Sequence, residues 1–85
     1  MWKAKIIVTY KPGILDPEAK TIQHALGSLG YEQIEHLTAG RFFELTLNGQ
    51  MDRESAAARV NEICEKVLSN PVIQQFRVEL TEERP

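Results

Sequence analysis

The sequence predicts an α+β, ferredoxin-like βαββαβ fold, a four-stranded antiparallel sheet with two helices on one face. Three observations predict it. Apolar and polar residues alternate near both ends of the chain and again in its middle. Between these blocks lie two stretches whose apolar residues recur at spacings of three and four, and Pro, Gly, Asn or Asp punctuates each boundary. Two strand–helix–strand halves joined through a central hairpin form the split βαβ pattern, and right-handed crossovers place both helices on the same face.

The first strand is read over residues 2–10, where Ala4, Ile6 and Val8 alternate with Lys3, Lys5, Ile7 and Thr9. Pro12 and Gly13 break it, one lacking an N–H for the ladder and the other tolerating positive φ. Asp16 then caps a helix with Pro17 at its first position and Glu18 at the positive end of its dipole. Ile22, Ala25, Leu26 and Leu29 form its apolar stripe, Lys20, Gln23 and Ser28 its outer face, and Gly30 stops it. From Tyr31 to Leu47 the period is two, and Thr38-Ala39-Gly40-Arg41 reads as a tight turn between strands near 33–38 and 41–47. Phe43, Leu45 and Leu47 point one way, Phe42, Glu44 and Thr46 the other. Asp52 caps a second helix whose stripe is Ala56, Val60, Ile63 and Val67, widened by Cys64 and Leu68, with Glu62 four residues before Lys66 on the solvent side. Asn70-Pro71 ends it. A last strand over 72–80 turns Phe76, Val78 and Leu80 inward, and the tail 81–85 reads as frayed.

The 85 residues support one domain over 1–85 with a single thin core; a compact fold of 9.7 kDa keeps about 5,000 Å² accessible. A deep pocket would need walls from a second chain, so an oligomer is expected. On the sheet face without helices, Ile7, Phe42 and His36 stand among charged residues, and Ile7 and Phe42 are candidates for an oligomer interface. Ten Lys and Arg against twelve Asp and Glu give a net charge of −2 and a pI near 5.6, which argues against nucleic acid and anionic membranes as partners. No apolar run reaches the ~20 residues of a membrane span. One cysteine and no leader-like apolar stretch predict a reducing, cytoplasmic setting.

Catalytic groups are not assembled by the sequence. His24 and His36 have no Cys or carboxylate at metal-ligand spacing, and Cys64 lies in an apolar helix stripe away from any helix N-terminus. Ser28, Ser55 and Ser69 have no activating neighbour. Gly27-Ser-Leu-Gly30 ends a helix, whereas a phosphate cradle begins one. An RNA-recognition sheet would need more aromatics than Phe42 and a basic surround. The first loop lacks both the two cysteines of a metal carrier and the arginine of an acylphosphatase. A small-molecule-sensing dimer needs no fixed motif and stays open as an alternative.

Lys11-Pro-Gly-Ile-Leu-Asp-Pro17, Ala25-Leu-Gly-Ser-Leu-Gly30, Gly40-Arg41 with Glu44 and Leu45, and Cys64-Glu-Lys-Val-Leu-Ser-Asn-Pro-Val-Ile73 occur in this order over nearly the whole chain. Together they resemble the PurS family, the small subunit of bacterial phosphoribosylformylglycinamidine (FGAM) synthase. The resemblance implies a non-catalytic, oligomeric subunit, a homodimer or tetramer, in purine biosynthesis. Its partners would be a glutaminase of the PurQ type and a synthetase of the PurL type. The complex would convert formylglycinamide ribonucleotide (FGAR) and glutamine to FGAM and glutamate, the small subunit bridging the other two and assisting ammonia transfer. ATP and magnesium would belong to the synthetase, with no cofactor in this chain.

Carried over residue by residue, the resemblance makes Lys11, Gly13, Leu15, Asp16, Pro17, Gly40, Arg41, Asn70 and Pro71 candidates for the partner interface. Capping alone accounts for Asp16-Pro17, whereas the Lys11 side chain has no structural duty that the sequence suggests. The family turn usually reads Val-Arg-Val-Gly-Lys, and this chain has Leu37-Thr-Ala-Gly-Arg41, without a basic residue at Thr38. Ala19 replaces a glycine often found after Asp-Pro.

Overall fold

The structure, a computed structural model, describes residues 1–83, so Arg84 and Pro85 of the expected frayed tail lie outside the described residues. Its elements are β1 (Trp2–Tyr10), α1 (Pro17–Ser28), β2 (Gly40–Leu47), α2 (Arg53–Ile63), continued by a π-helical turn over Cys64–Leu68, and β3 (Gln74–Glu82). The strands form one antiparallel sheet in the order β2-β1-β3. Both helices and the α+β class are as predicted; the sheet has three strands, where the sequence predicts four.

The missing strand is 33–38. A two-residue hairpin turn at Ala39-Gly40 would need positive φ, and among the described residues only Gly13, Gly30 and Gly49 adopt it. The segment is held along α1 instead. Helix α1 ends in a Schellman turn, Tyr31 N–H donating to Leu26 O at 3.0 Å and Gly30 N–H to Gly27 O at 3.1 Å, with Gly30 at φ 95°. Gln23 Nε2, expected on an outer face, donates to the carbonyls of Ile34 and Glu35, each at 3.4 Å. With 33–38 outside the sheet, His36 leaves the open face and shares a 2.9 Å hydrogen bond with Thr38 Oγ1.

The core is built from alternation in the strands and one helix stripe. Ala4, Ile6 and Val8 of β1 meet Val60 and Cys64 of the α2 rod, all essentially inaccessible, with Phe43, Leu45, Phe76, Val78 and Leu80 packed around them. Arg53 pins the start of α2 to the sheet, its Nη2 donating to Leu80 O at 3.0 Å and its guanidinium lying 5.8 Å from the Trp2 ring centre. The helix stripe differs in one place: Val67, expected in the core, is 75% exposed. The π turn explains this, because the wider turn, closed by Ser69 N–H on Cys64 O at 3.0 Å, rotates the end of the helix so that Leu68 packs inward. Strand β3 begins two residues later than expected, since the Asn70-Pro71 turn occupies 70–73, and it runs on through Glu82, with Glu83 N–H donating to Met1 O at 2.8 Å.

Helix α1 is the larger departure. It buries only Ala19, and the chain measures 52 × 29 × 15 Å with a radius of gyration of 16.6 Å, against about 12 Å for a compact chain of this length. Helix α1, expected beside α2 over the sheet, packs little against it.

Candidate functional site

Strand β1 ends where β2 and β3 begin, with Thr9 opposite Gly40 and Tyr10 opposite Gln74. Three loops therefore meet at one end of the sheet, and every sequence-nominated partner residue lies on them or opens the element that follows, Pro17 at the start of α1 and Gly40-Arg41 at the start of β2. Lys11 N–H donates to Ile73 O at 2.9 Å, fastening the first loop to the Asn70-Pro71 turn. Gly13, at φ 84°, lets the loop close through Ile14 N–H on Lys11 O at 3.1 Å. Asp16 then caps α1, its Oδ1 accepting from Ala19 N–H at 3.1 Å, with Pro17 at the first helical position.

Asn70 organises the third loop. Its Oδ1 accepts from Val72 N–H at 3.1 Å, its N–H donates to Gln74 Oε1 at 2.8 Å, and its carbonyl accepts from the N–H groups of Ile73 and Gln74. Pro71, which cannot donate, follows it at the start of the turn. Gly40 is required by proximity: a Cβ there would stand 2.5 Å from Val8 O and 2.9 Å from Thr9 Cγ2.

Two clefts flank Tyr10 and Asp16. One of about 250 Å³ is walled by Pro17, Glu18, Gly40, Arg41 and Gln74; the other, about 410 Å³, by Lys11, Pro12, Gly13, His36, Leu37 and Gln75. Arg41 lines the first cleft and Lys11 the second, and the adjoining loops expose the apolar residues Leu15 at 65% and Val72 at 77%. Neither cation forms an ion pair among the described residues. Basic groups around exposed apolar side chains on rigid turns suit contact with another protein. Sequence reasoning missed Tyr10, Gln74 and Val72; the first two are signalled only by strand register, and Val72 by its place directly after Asn-Pro.

Ile7 and Phe42 are direct partners across β1 and β2, with Arg77 opposite Ile7 on β3. Their face carries no helix, and they are 39% and 59% exposed. Lys3, on the same face, bridges Glu44 and Glu83, each at 3.2 Å, and these hydrogen bonds raise its pKa.

No group of three or more His, Cys, Asp or Glu side chains that could hold a metal occurs among the described residues. Burial, with a smaller contribution from the charge of Glu65, pushes the Cys64 thiol upward, away from the nucleophilic thiolate. No helix among the described residues is long and apolar enough to cross a membrane.

Residues 3–82 match the family model described as PurS, phosphoribosylformylglycinamidine (FGAM) synthase. A phosphoribosylformylglycinamidine synthase subunit PurS from Bacillus subtilis is 39% identical over 82 residues, covering 96% of this chain and 95% of that protein. The one from Methanocaldococcus jannaschii is 34% identical, covering 94% and 95%. The solved structure of B. subtilis PurS superposes with a TM-score of 0.85 at 37% identity, over 96% of this chain and 100% of the other. A chain of the solved PurLQS from Thermotoga maritima gives 0.82 at 28% identity, covering 94% and 96%.

Proposed function

The chain belongs to the PurS family of FGAM synthase, and we propose that it acts there as a non-catalytic small subunit, bridging a PurQ-type glutaminase and a PurL-type synthetase. Family membership over nearly the full length, including likeness to a chain of PurLQS, carries this reading. It replaces the stand-alone sensor. The glutaminase releases ammonia, and the synthetase uses ATP and magnesium to turn FGAR into FGAM. At neutral pH free ammonia is mostly ammonium, which is no nucleophile, so a bridged and shielded route between the two sites preserves the reactive form.

The loop end of the sheet, with Lys11, Leu15 and Arg41 on its rim, is the proposed contact surface for those partners. Gly13, Asp16, Pro17, Gly40, Asn70 and Pro71 hold its turns in shape. The protein is proposed to work in the cytoplasm as a homo-oligomer, with Ile7 and Phe42 on one self-contact. The ferredoxin-like cover of two helices over one sheet face is proposed for the assembled state.

Reconstitution tests the reading. Omitting the chain from a mixture of glutaminase and synthetase is expected to abolish glutamine-dependent FGAM synthesis, while concentrated ammonium salt recovers part of the reaction. An undiminished glutamine-dependent rate without the chain overturns the bridging role. Alone, the chain is expected to hydrolyse neither glutamine nor ATP.

A further inference from the structure

Three asparagines occur in the chain, and their surroundings differ in the respect that decides whether a side-chain amide survives. An asparagine loses its amide when the peptide nitrogen of the next residue reaches its Cγ, which requires a free N–H, little bulk beside it and a backbone outside regular structure. Asn70 is followed by Pro71, which has no N–H. Asn61 and the peptide after it lie inside α2. Asn48 meets every condition. It is exposed, directly past the end of β2, and Gly49 follows it. Among the described residues the Gly49 N–H has no main-chain acceptor. At φ 118° Gly49 adopts a conformation that a side chain would strain, so the turn itself requires the residue that leaves the nitrogen uncrowded. A cleft of about 430 Å³, lined by Gly49, Gln50 and Asp52, lies against this peptide and gives water a path to it.

We propose that Asn48 is a site of spontaneous deamidation, and that its isoaspartyl product acts on Trp2. The Gly49 nitrogen gives up its proton and attacks Cγ of Asn48. The bond from Cγ to the amide nitrogen breaks, ammonia leaves carrying that proton, and a cyclic succinimide closes between the two residues. Water then opens the ring. Cleavage between the Gly49 nitrogen and Cγ yields aspartate on an intact main chain, whereas cleavage at the original carbonyl carbon yields isoaspartate, whose main chain runs through Cγ and is longer by a methylene. The loop that must absorb this length is held at both ends by one residue: the Trp2 main chain pairs with Leu47, and its indole N–H donates to Met51 O at 2.9 Å. Trp2 is the chain's one tryptophan and is 7% exposed. Either product also adds a negative charge to a chain of net charge −2. The reaction needs only this chain and water, so it is independent of the bridging role.

The test incubates the full chain, folded and in urea, at mildly alkaline pH. Peptide mapping by mass spectrometry, with isoaspartyl methyltransferase to count isoaspartate, is expected to find Asn48 modified in the folded protein within about threefold of its rate in the unfolded chain, since a loop without protecting hydrogen bonds opens at almost no cost. Asn61 is expected to stay intact until urea unfolds α2. The modified fraction, separated by anion exchange, is expected to show red-shifted tryptophan fluorescence with unchanged helical circular dichroism. Freshly prepared Asn48→Asp, which carries the new charge without the added length, is expected to keep the wild-type emission. A folded protein that keeps its Asn48 amide overturns the proposal, and so does one in which Asn61 reacts as fast. Wild-type emission from the isoaspartyl chains, or a red shift of equal size in Asn48→Asp, overturns the action of chain length on Trp2.

Discussion

Lys11 and Ile73 are joined through their main chains, the N–H of Lys11 donating to the carbonyl of Ile73 at 2.9 Å. The bond uses the Lys11 backbone and leaves its side chain exposed on the rim of the loop surface, on the same sheet end as Arg41. Backbone and side chain therefore have separable roles at this position.

Charge reversal at the rim follows from that separation. Lys11→Glu and Arg41→Glu are expected to change folding stability by no more than about ±0.5 kcal/mol, with unchanged circular dichroism. Binding to the glutaminase and synthetase, read by size-exclusion chromatography at limiting subunit, is expected to weaken. Wild-type assembly and activity in both variants would show that this end of the sheet is not the partner surface.

Phe42→Asp probes the opposite face of the sheet. With Ile7 directly across the ladder, a carboxylate at 42 is expected to weaken assembly and lower the mass of the oligomer, more than Lys5→Ala does. Light scattering over a concentration series reads the difference. Equal masses for wild type and Phe42→Asp would remove Ile7 and Phe42 from the self-contact.

Gly40→Ala is expected to destabilise the fold by about 1–3 kcal/mol, because the new Cβ would meet main-chain Val8 O at 2.5 Å, where no flexible side chain can give way. Gly27→Ala is the control. Nothing lies within 4 Å of its added Cβ, and in a helix the change is expected to be neutral or stabilising by about 0.5–1 kcal/mol. Urea titrations giving the two variants the same midpoint would refute the close-approach argument.

Asp52 gives the fold an acid-sensitive element. Its carboxylate accepts from Ser55 N–H at 2.7 Å, which holds its pKa below the usual carboxylate value. A folded pKa lower than the unfolded one contributes stability that is present above the unfolded value and lost as pH falls through the folded value. Glu62, held low by Lys66, adds the same sign. Asp52→Asn keeps a capping acceptor, so its melting temperature is expected to stay near wild type at neutral pH and to fall less on acidification; Asp52→Ala is expected to melt lower at neutral pH. Thermal melts between about pH 7 and pH 3 check both, and an acid loss identical to wild type in Asp52→Asn counts against the cap.

Local chemistry made the individual elements legible in the sequence. Alternation in β1, β2 and β3 assigned each side chain to its face, with Ile7 and Phe42 together on the bare side, while their pairing across the ladder came from the register. Asp16-Pro17, Gly30 and Asp52 marked helix ends through groups that act within a few residues, and the family motifs nominated partner candidates on loops and element starts that the strand register then gathered at one end. Tertiary structure alone decided the rest. Period-two patterning at 33–38 is compatible with a strand, but pairing needs a turn, and the backbone at Ala39-Gly40 makes none while Gln23 holds the segment along α1. Val67 left the core because a single π turn rotates everything after it, a shift that spacing counted from one end cannot register. The stripe on α1 is legible as apolar, yet periodicity specifies only which helix face is apolar; whether that face reaches the sheet depends on where the connection lets the helix go.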